Sequence, residues 1–398
     1  MSTYQIFINS QPADAALYTA LTSLEVEESM DLPGAVELTL PVVRTSDGNL
    51  TYLTNSRFAP MSNLAVVVTP VEGAAGAVGG LAGSVIAAMS DSPPGPQCIF
   101  DGFVLSHKVH LESGTTNSTV AIFGQDASWL MNLTEQAKEW IDVTDADVAN
   151  TIFGNYGITP VDDNTLDDSP SHTESGHSLM QRGSDIQFLR MLARRNGKVC
   201  RVSCADQPGI RTGYFATPNL NGDPDVTLTL NDPENWTVDA LDLNWDVARP
   251  SSVIARQALF TDSDPNGVSA DTTDSGLPLL SARDLSDFNG QPMTVMLAAP
   301  VDDGGELSLR AKSLLREGAW FTRCEGEADV ARLGVILRPG MIAAVAGVGD
   351  LFSGSYLVWS VRHTITGDSH KMKFALVRNS VGPAPAGGVG GLDSLLGP

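Results

Sequence analysis

The side chains able to do chemistry are few and scattered. Cys200 and Cys204 stand four apart in an alternating stretch, so they share one strand face, as two ligands of a soft metal would. A closed zinc site needs four ligands, and no second Cys/His pair has matching spacing. Asp262, Asp264, Asn266 and Gly267 fit the first half of a calcium loop, but the closing bidentate glutamate is replaced by Thr273. That stretch reads as an ordinary Asp/Gly loop. The six histidines are His107, His110, His172, His177, His363 and His370, and no H-E-x-x-H contains them. His107 and His110, three apart on a strand, face opposite sides. His177-Ser178 is not a nucleophile elbow, and no serine stands in G-x-S-x-G. Gly73, Gly76, Gly79, Gly80 and Gly83 follow a strand, but no two are spaced i, i+2, so neither phosphate-cradling glycine motif is met. Carboxylates are abundant, yet they cluster in loops instead of at strand ends around a cleft. The expectation is a chain without catalytic, cofactor-binding or metal-ligating residues, without a cofactor, and without enzymatic activity.

One stretch is better organised. In "SLMQRGSDIQFLRMLARRNGKVCRV" (178–202), Ser184 is a good N-cap and Gln187 completes a capping box. Ile186, Leu189, Leu192 and Ala193 recur at helical spacing, with Phe188 and Met191 widening the stripe. Arg190, Arg194 and Arg195 fall late, where cations suit the helix dipole. Asn196-Gly197 stops the helix, and "KVCRVS" alternates as a strand. Three arginines on the last turns read as a solvated face rather than a nucleic-acid patch.

Composition supports that choice. The chain has 398 residues and a net charge of −23. A nucleic-acid binder needs a positive footprint, and anionic lipid would repel this surface. With 42% hydrophobic and 18% charged residues the chain is globular, with length for two to four domains. Four cysteines are too few for a disulfide scaffold at this size. "MSTYQIFINS" is a strand pattern without a charged-then-apolar leader, so synthesis in a cytosol without Sec export is expected.

Residues 1–70 alternate as strands ("TYQIFIN", "SLEVEES", "AVELTLPVV", "NLAVVVTPV") divided by turn chemistry such as "DLPG" and "SDGN". A nearly uncharged Gly/Ala-rich insert over 72–97 interrupts them. It reads as a flexible or weakly helical surface loop, as an apolar arm that docks on a partner or, least of the three, as a membrane-active loop. Strands resume at "CIFDGFVLSHKVHLESGTTNSTVAIFGQD". Helical signals take over near Ala127 to Gly157, where Thr144 can cap a helix carrying Val148, Ala149, Ile152 and Phe153. An acidic loop, 162–178, leads to the basic helix. Strands return from Thr227, with a helix over Leu307 to Glu317, a β-rich close, and a Gly/Pro/Ala tail. The layout is β, then helical, then β again, as a distant duplication of a β-barrel would give.

In that order the pieces resemble a known family. "SLEVEESMDLPGAVELTLPV" looks like the start of its first barrel. "VTDADVANTIFGNYGI" looks like its short helix with a "YG" stop, and "QRGSDIQFLRMLARRNGKVCRV" like its most recognisable stretch. "LRPGMIAAVAGVGDLFSGSYLVWSVRHTITGDSHKMKFALVRN" looks like its closing barrel. The family is that of the baseplate hub proteins of contractile tails: the phage late control protein D family, also the N-terminal hub part of VgrG-type spike proteins of type VI secretion. The resemblance spans nearly the whole chain.

It implies a β-rich α+β fold, with two tube-protein-like β-barrels in one chain, an α/β helical domain between them, and a helix-containing insertion in the second barrel. The boundaries expected are 1–130 for the first barrel with its insert 72–97, and 131–226 for the helical α/β domain. Residues 227–380 would form the second barrel with a helix over 305–317, and 381–398 a flexible tail. The implied role is structural. A homotrimer of paired barrels forms a six-barrel ring that adapts a six-fold inner tube to a three-fold spike. Its partners would be the inner tube protein on one face, a separate spike protein on the other, and baseplate wedge proteins. No nucleic acid and no stable membrane insertion are expected, and the place of assembly would be the baseplate of a phage tail or phage-tail-like particle. VgrG-type chains continue into an OB-like domain and a β-helical needle, whereas this sequence stops at Pro398, hence the separate spike. A cell-wall or polysaccharide hydrolase carried on the same device, or a standalone carbohydrate-binding barrel, are the competing readings.

Overall fold

A computed structural model describes residues 2–53, 56–70, 95–113, 117–161, 169–174, 178–257, 268–299, 301 and 304–383. Most of the Gly/Ala-rich insert, the Asp262–Gly267 loop, much of the acidic stretch 162–178 and the end of the tail lie outside the described residues. The chain divides into two compact units. One takes Met1–Pro218, Glu327–Pro339 and Trp359–Phe374, and the other takes Asn219–Gly326, Gly340–Val358 and Ala375–Pro398.

Period-two alternation builds the sheet of the first unit. Leu24, Val26 and Glu28 turn inward from Ser23–Ser29, and Val36, Leu38 and Leu40 from Ala35–Pro41. These two strands pair antiparallel, and Thr119–Asp126, Gln97–His110, Asn63–Thr69 and Thr3–Ile8 follow in that order. On the other side of Ser23–Ser29 lie residues far away in sequence. Ser360 pairs with Ser29 and the ladder runs to Ile365 opposite Leu24.

A buried polar chain accompanies that ladder. Arg338 donates from Nη2 and Nε to Oε1 of Glu28 at 2.7 and 3.0 Å. Nε2 of His363 lies 3.7 Å from the other Glu28 oxygen. Nδ1 of His363 meets Nε2 of His370 at 3.0 Å, and Nδ1 of His370 meets the Ser2 hydroxyl at 2.7 Å. Burial alone would push Glu28 up, but the Arg338 charge and His363 outweigh it and hold the carboxyl low. Burial, and then the neighbouring His363, push His370 down to about 3.

The rest of the unit is built on helices Asp145–Asn155 and Asp185–Asn196. Thr144 caps the first in a capping box with Asp147. Gly197, at φ 62°, stops the second in the left-handed conformation. The expected capping box at Ser184 does not form. Ser184 stands at the N-cap, but its hydroxyl donates to Asn132 Oδ1 at 2.7 Å, a tertiary bond that displaces the local one. A second expectation fails at 135–140, where the helical reading gives way to a strand. Glu135–Trp140 forms a ribbon with Leu179–Ser184, Trp140 opposite Leu179. The long-range partner decides the matter, because only Trp140 of the six residues is buried.

Both helices, the ribbon and the Val199–Cys204/Arg211–Ala216 hairpin share one core, including Trp140, Ile152, Phe153, Leu189, Leu192 and Phe215. Phe153 lies so close to the hairpin that a Cβ on Gly213 would sit 2.6 Å from its ring. Beneath this core Asp145, fully buried, receives both Arg195 Nη2 contacts at 2.7 Å, Asn196 Nδ2 at 2.6 Å and His172 Nε2 at 2.8 Å. Burial opposes ionisation of Asp145, but these partners prevail and keep it low. Arg195 is thus an internal brace, not part of a solvated basic face.

In the second unit Val226–Thr229 runs parallel to Ile342–Ala346, which pairs antiparallel with 354–357. Arg378, fully buried, donates to the carbonyls of Ser353 and Leu351 at 3.0 and 2.7 Å and stacks over Tyr356. Elsewhere Ser252–Gln257 and Thr294–Leu297 pair in parallel, and Val253 and Ala255 pack against Leu307, Ala311 and Leu315 of helix Gly304–Gly318.

Two outcomes follow from this packing. Gly213→Ala overpacks the Phe153 contact and should cost about 1–3 kcal/mol in urea denaturation, with a smaller penalty in a Phe153→Leu background. His370 takes no proton in the fold until about pH 3, whereas an unfolded histidine protonates near 6.5. The unfolded state therefore binds more protons between those values, and stability falls as pH drops through the window. His370→Asn should flatten the loss between pH 7 and pH 5 by roughly 2 kcal/mol. Equal slopes in the two proteins would refute the neutral buried imidazole.

Candidate functional site

A concave polar space of the first unit lies where the Val199–Cys204 strand meets the sheet. Glu28, Asp101, Asp126, Arg201, Ser203 and Cys204 line it, and its volume is about 20 Å³. That is room for a water molecule or two, not for a sugar or peptide substrate. Each charged wall group is held by a fixed partner. Asp101 accepts from Arg211 Nε and Nη2 at 3.1 and 3.0 Å, from Asn63 Nδ2 at 2.9 Å and from the Gly209 amide at 2.7 Å. Asp126 accepts from the amides of Gly34 and Ser128, and burial outweighs these bonds to push its carboxyl up. Arg201 donates to the Pro339 carbonyl at 3.0 Å and stacks on Tyr214. Burial, and then the neighbouring Cys98, push the Cys204 thiol well up, so that it rests protonated at neutral pH. A further buried carboxylate, Asp185, accepts from Gln181 at 2.6 Å and Tyr156 at 2.8 Å; burial first, and then Asp185, raise the Tyr156 phenol to about 12. These buried carboxylates act as braces between elements.

The residues picked out by type do not converge. Cys200 enters the helical core beside Val202 and Phe215, whereas Cys204 turns toward Cys98 in another cluster, so the two do not act as a ligand pair. Among the described residues no group of three or more His, Cys, Asp or Glu side chains is placed to hold a metal ion. His110 is an exposed partner of Glu112, His172 serves Asp145, and His363 and His370 pair with each other. Sequence reasoning missed these networks because their members lie far apart in the chain. Among the described residues no helix is long and apolar enough to cross a membrane.

The surfaces offer more than the cavity. In the first unit the Gln97–His110 strand ends with Val109 and Leu111 exposed, and Met180 and Met191 are also exposed. In the second unit the outer face of the parallel pair carries Ile254 directly beside Met296, which is 78% exposed, with Met293 nearby in sequence. Apolar side chains side by side on an open sheet face suit protein contacts better than chemistry.

Comparison with known proteins bears on the fold. A family model described as the Alg8 N-terminal domain matches residues 94–231, about a third of the chain. No curated protein matches. Solved structures match end to end. A tail protein from Neisseria meningitidis MC58 superimposes with a TM-score of 0.62 at 12% identity, over 95% of this chain and 97% of that one. The 43 kDa tail protein of prophage MuSo2 from Shewanella oneidensis gives 0.60 at 13%, over 95% and 99%. An E. coli component of the type VI secretion system gives 0.50 at 13%, over 92% and 76%. The β-rich architecture of this chain, from its first strand to its last, is therefore the fold seen in these solved tail and type VI secretion proteins.

Proposed function

We propose that this chain is a structural baseplate hub of a contractile injection machine, either a phage tail or a phage-tail-like particle. The observation that carries the reading is the end-to-end fold likeness to two tail proteins, each covered almost completely. The likeness to a type VI secretion component supports placing it in the wider class of injection devices. In this reading residues 1–130 and 227–380 each form a tube-protein-like barrel, and residues 131–226 form the helical α/β domain between them. Three copies then close into a ring of six barrels, matching a six-fold inner tube on one face and a three-fold spike on the other. Wedge proteins of the baseplate contact its rim, and the insert 72–97 and the tail Pro383–Pro398 serve as contact arms.

The physical chemistry favours such a role over catalysis. The buried carboxylates Glu28, Asp101, Asp145 and Asp185 are each spent on donors from other elements. A ring adaptor needs wide complementary surfaces, and the exposed apolar positions supply material for them. The net charge of −23 keeps the free chain soluble and steers basic surfaces toward it.

Native mass measurement tests the proposal. Three copies of a 42.0 kDa chain weigh about 126 kDa, and the particle should show three-fold symmetry in projection. A chain that stays monomeric when mixed with inner tube and spike proteins from the same device would overturn it.

A further inference from the structure

Two of the four cysteines lie against each other although 106 positions separate them in the chain. Cys98 sits near the start of the Gln97–His110 strand at a β-bulge. There Cys98 faces Val67 and Phe100 faces Val66, leaving Ile99 as the extra residue. Bulges re-aim side chains, and this one leaves the Cys98 thiol fully buried, donating to the Phe100 carbonyl at 3.2 Å. Cys204 ends the Val199–Cys204 strand and is only half-buried. Its thiol donates to the Cys98 carbonyl oxygen at 2.5 Å. Both sulfurs share one small apolar cluster with Ala65, Val67 and Phe7. Nη2 of Arg338 lies 3.9 Å from the Cys204 sulfur, and Glu28 balances that guanidinium. The Cys98 side chain also hydrogen-bonds the Cys204 thiol, so the two sulfurs lie within reach of each other, as a disulfide requires.

We propose that Cys98 and Cys204 form a thiol–disulfide site, oxidised by low-molecular-weight disulfides to an intramolecular bond that ties the sheet to the Val199–Cys204 hairpin. The half-buried Cys204 reacts first. Its thiol gives its proton to solvent, and the thiolate attacks one sulfur of the small disulfide, with the Arg338 cation beside it. The S–S bond of the reagent breaks, one small thiolate leaves and takes up a proton, and a mixed disulfide remains on Cys204. The Cys98 thiolate then attacks the Cys204 sulfur and expels the second small thiol. Two protein thiols lose two electrons and two protons, and one small disulfide becomes two thiols. Burial raises the Cys204 thiol, so the first step quickens with pH. Cys200 and Cys324 provide internal controls. Both are buried, and neither shares the cluster of Cys98 and Cys204.

The test uses the full chain, treated at pH 8 with oxidised glutathione or with a reductant, then unfolded and alkylated with iodoacetamide. The reduced protein should carry four alkyl groups. The oxidised protein should carry two, on Cys200 and Cys324, with a proteolytic peptide pair joined through Cys98 and Cys204. Closing a loop of that length should raise Tm by a few degrees. Cys98→Ser and Cys204→Ser should each abolish the link, and Cys324→Ala should leave it intact. Peptide mapping of the unsubstituted chain keeps the test decisive if a serine variant fails to fold. Four alkylated cysteines after oxidation, a lasting glutathione adduct on Cys204, or a link between any other pair would overturn the proposal.

Discussion

The first unit depends on one ladder: residues 360–365 laid antiparallel beside 24–29. Without it, Ser23–Ser29 would be an edge strand with Glu28 turned inward and unmatched. The late segments answer both needs. Ser360–Ile365 satisfies the backbone, and Arg338 neutralises the carboxylate. A buried pair of this kind adds little net stability against an apolar substitute, but losing one partner leaves a stranded charge at about 3–5 kcal/mol. The pair therefore discriminates more than it stabilises. A strand slipped by one residue would turn Glu28 away from Arg338 and bring Glu27 to the inner face.

The same logic recurs through the unit. Asp145 joins the start of one helix to the end of the other through Arg195 and Asn196. Asp185 ties the ribbon to the helices through Gln136, Gln181 and Tyr156, and Asp101 fixes the hairpin through Arg211. Asp145 and Asp185 each begin a helix, Asp101 lies within its strand, and all three collect donors from another element.

Local pattern made some of this legible. Leu24, Val26, Val36 and Leu38 announce their strands by alternation. Ile186, Leu189, Leu192 and Ala193 announce a helix, and Asn196-Gly197 announces its end. What failed was every feature decided by a distant partner. "EQAKEW" has no alternation to show and becomes a strand only because Leu179–Ser184 lies beside it. Ser184 looks like a capping hydroxyl until Asn132 claims it. Arg195 looks like a solvated helix-end cation until Asp145, fifty residues earlier, is placed beneath it. The meeting of Cys98 and Cys204 has no sequence signal, since the pairing that looked meaningful was Cys200 with Cys204.

The 24–29/360–365 ladder also bears on how the chain is made. A ribosome adds about 5–20 residues per second, so tens of seconds pass between emergence of Ser23–Ser29 and of its second neighbour. Through that interval the nascent strand offers unpaired amides and carbonyls and an unneutralised Glu28 to its surroundings. The charge that must later be buried is, during synthesis, a gatekeeper against misassociation with other nascent strands. Helix-first segments such as Asp185–Asn196 can form at once, whereas the sheet waits for its last third.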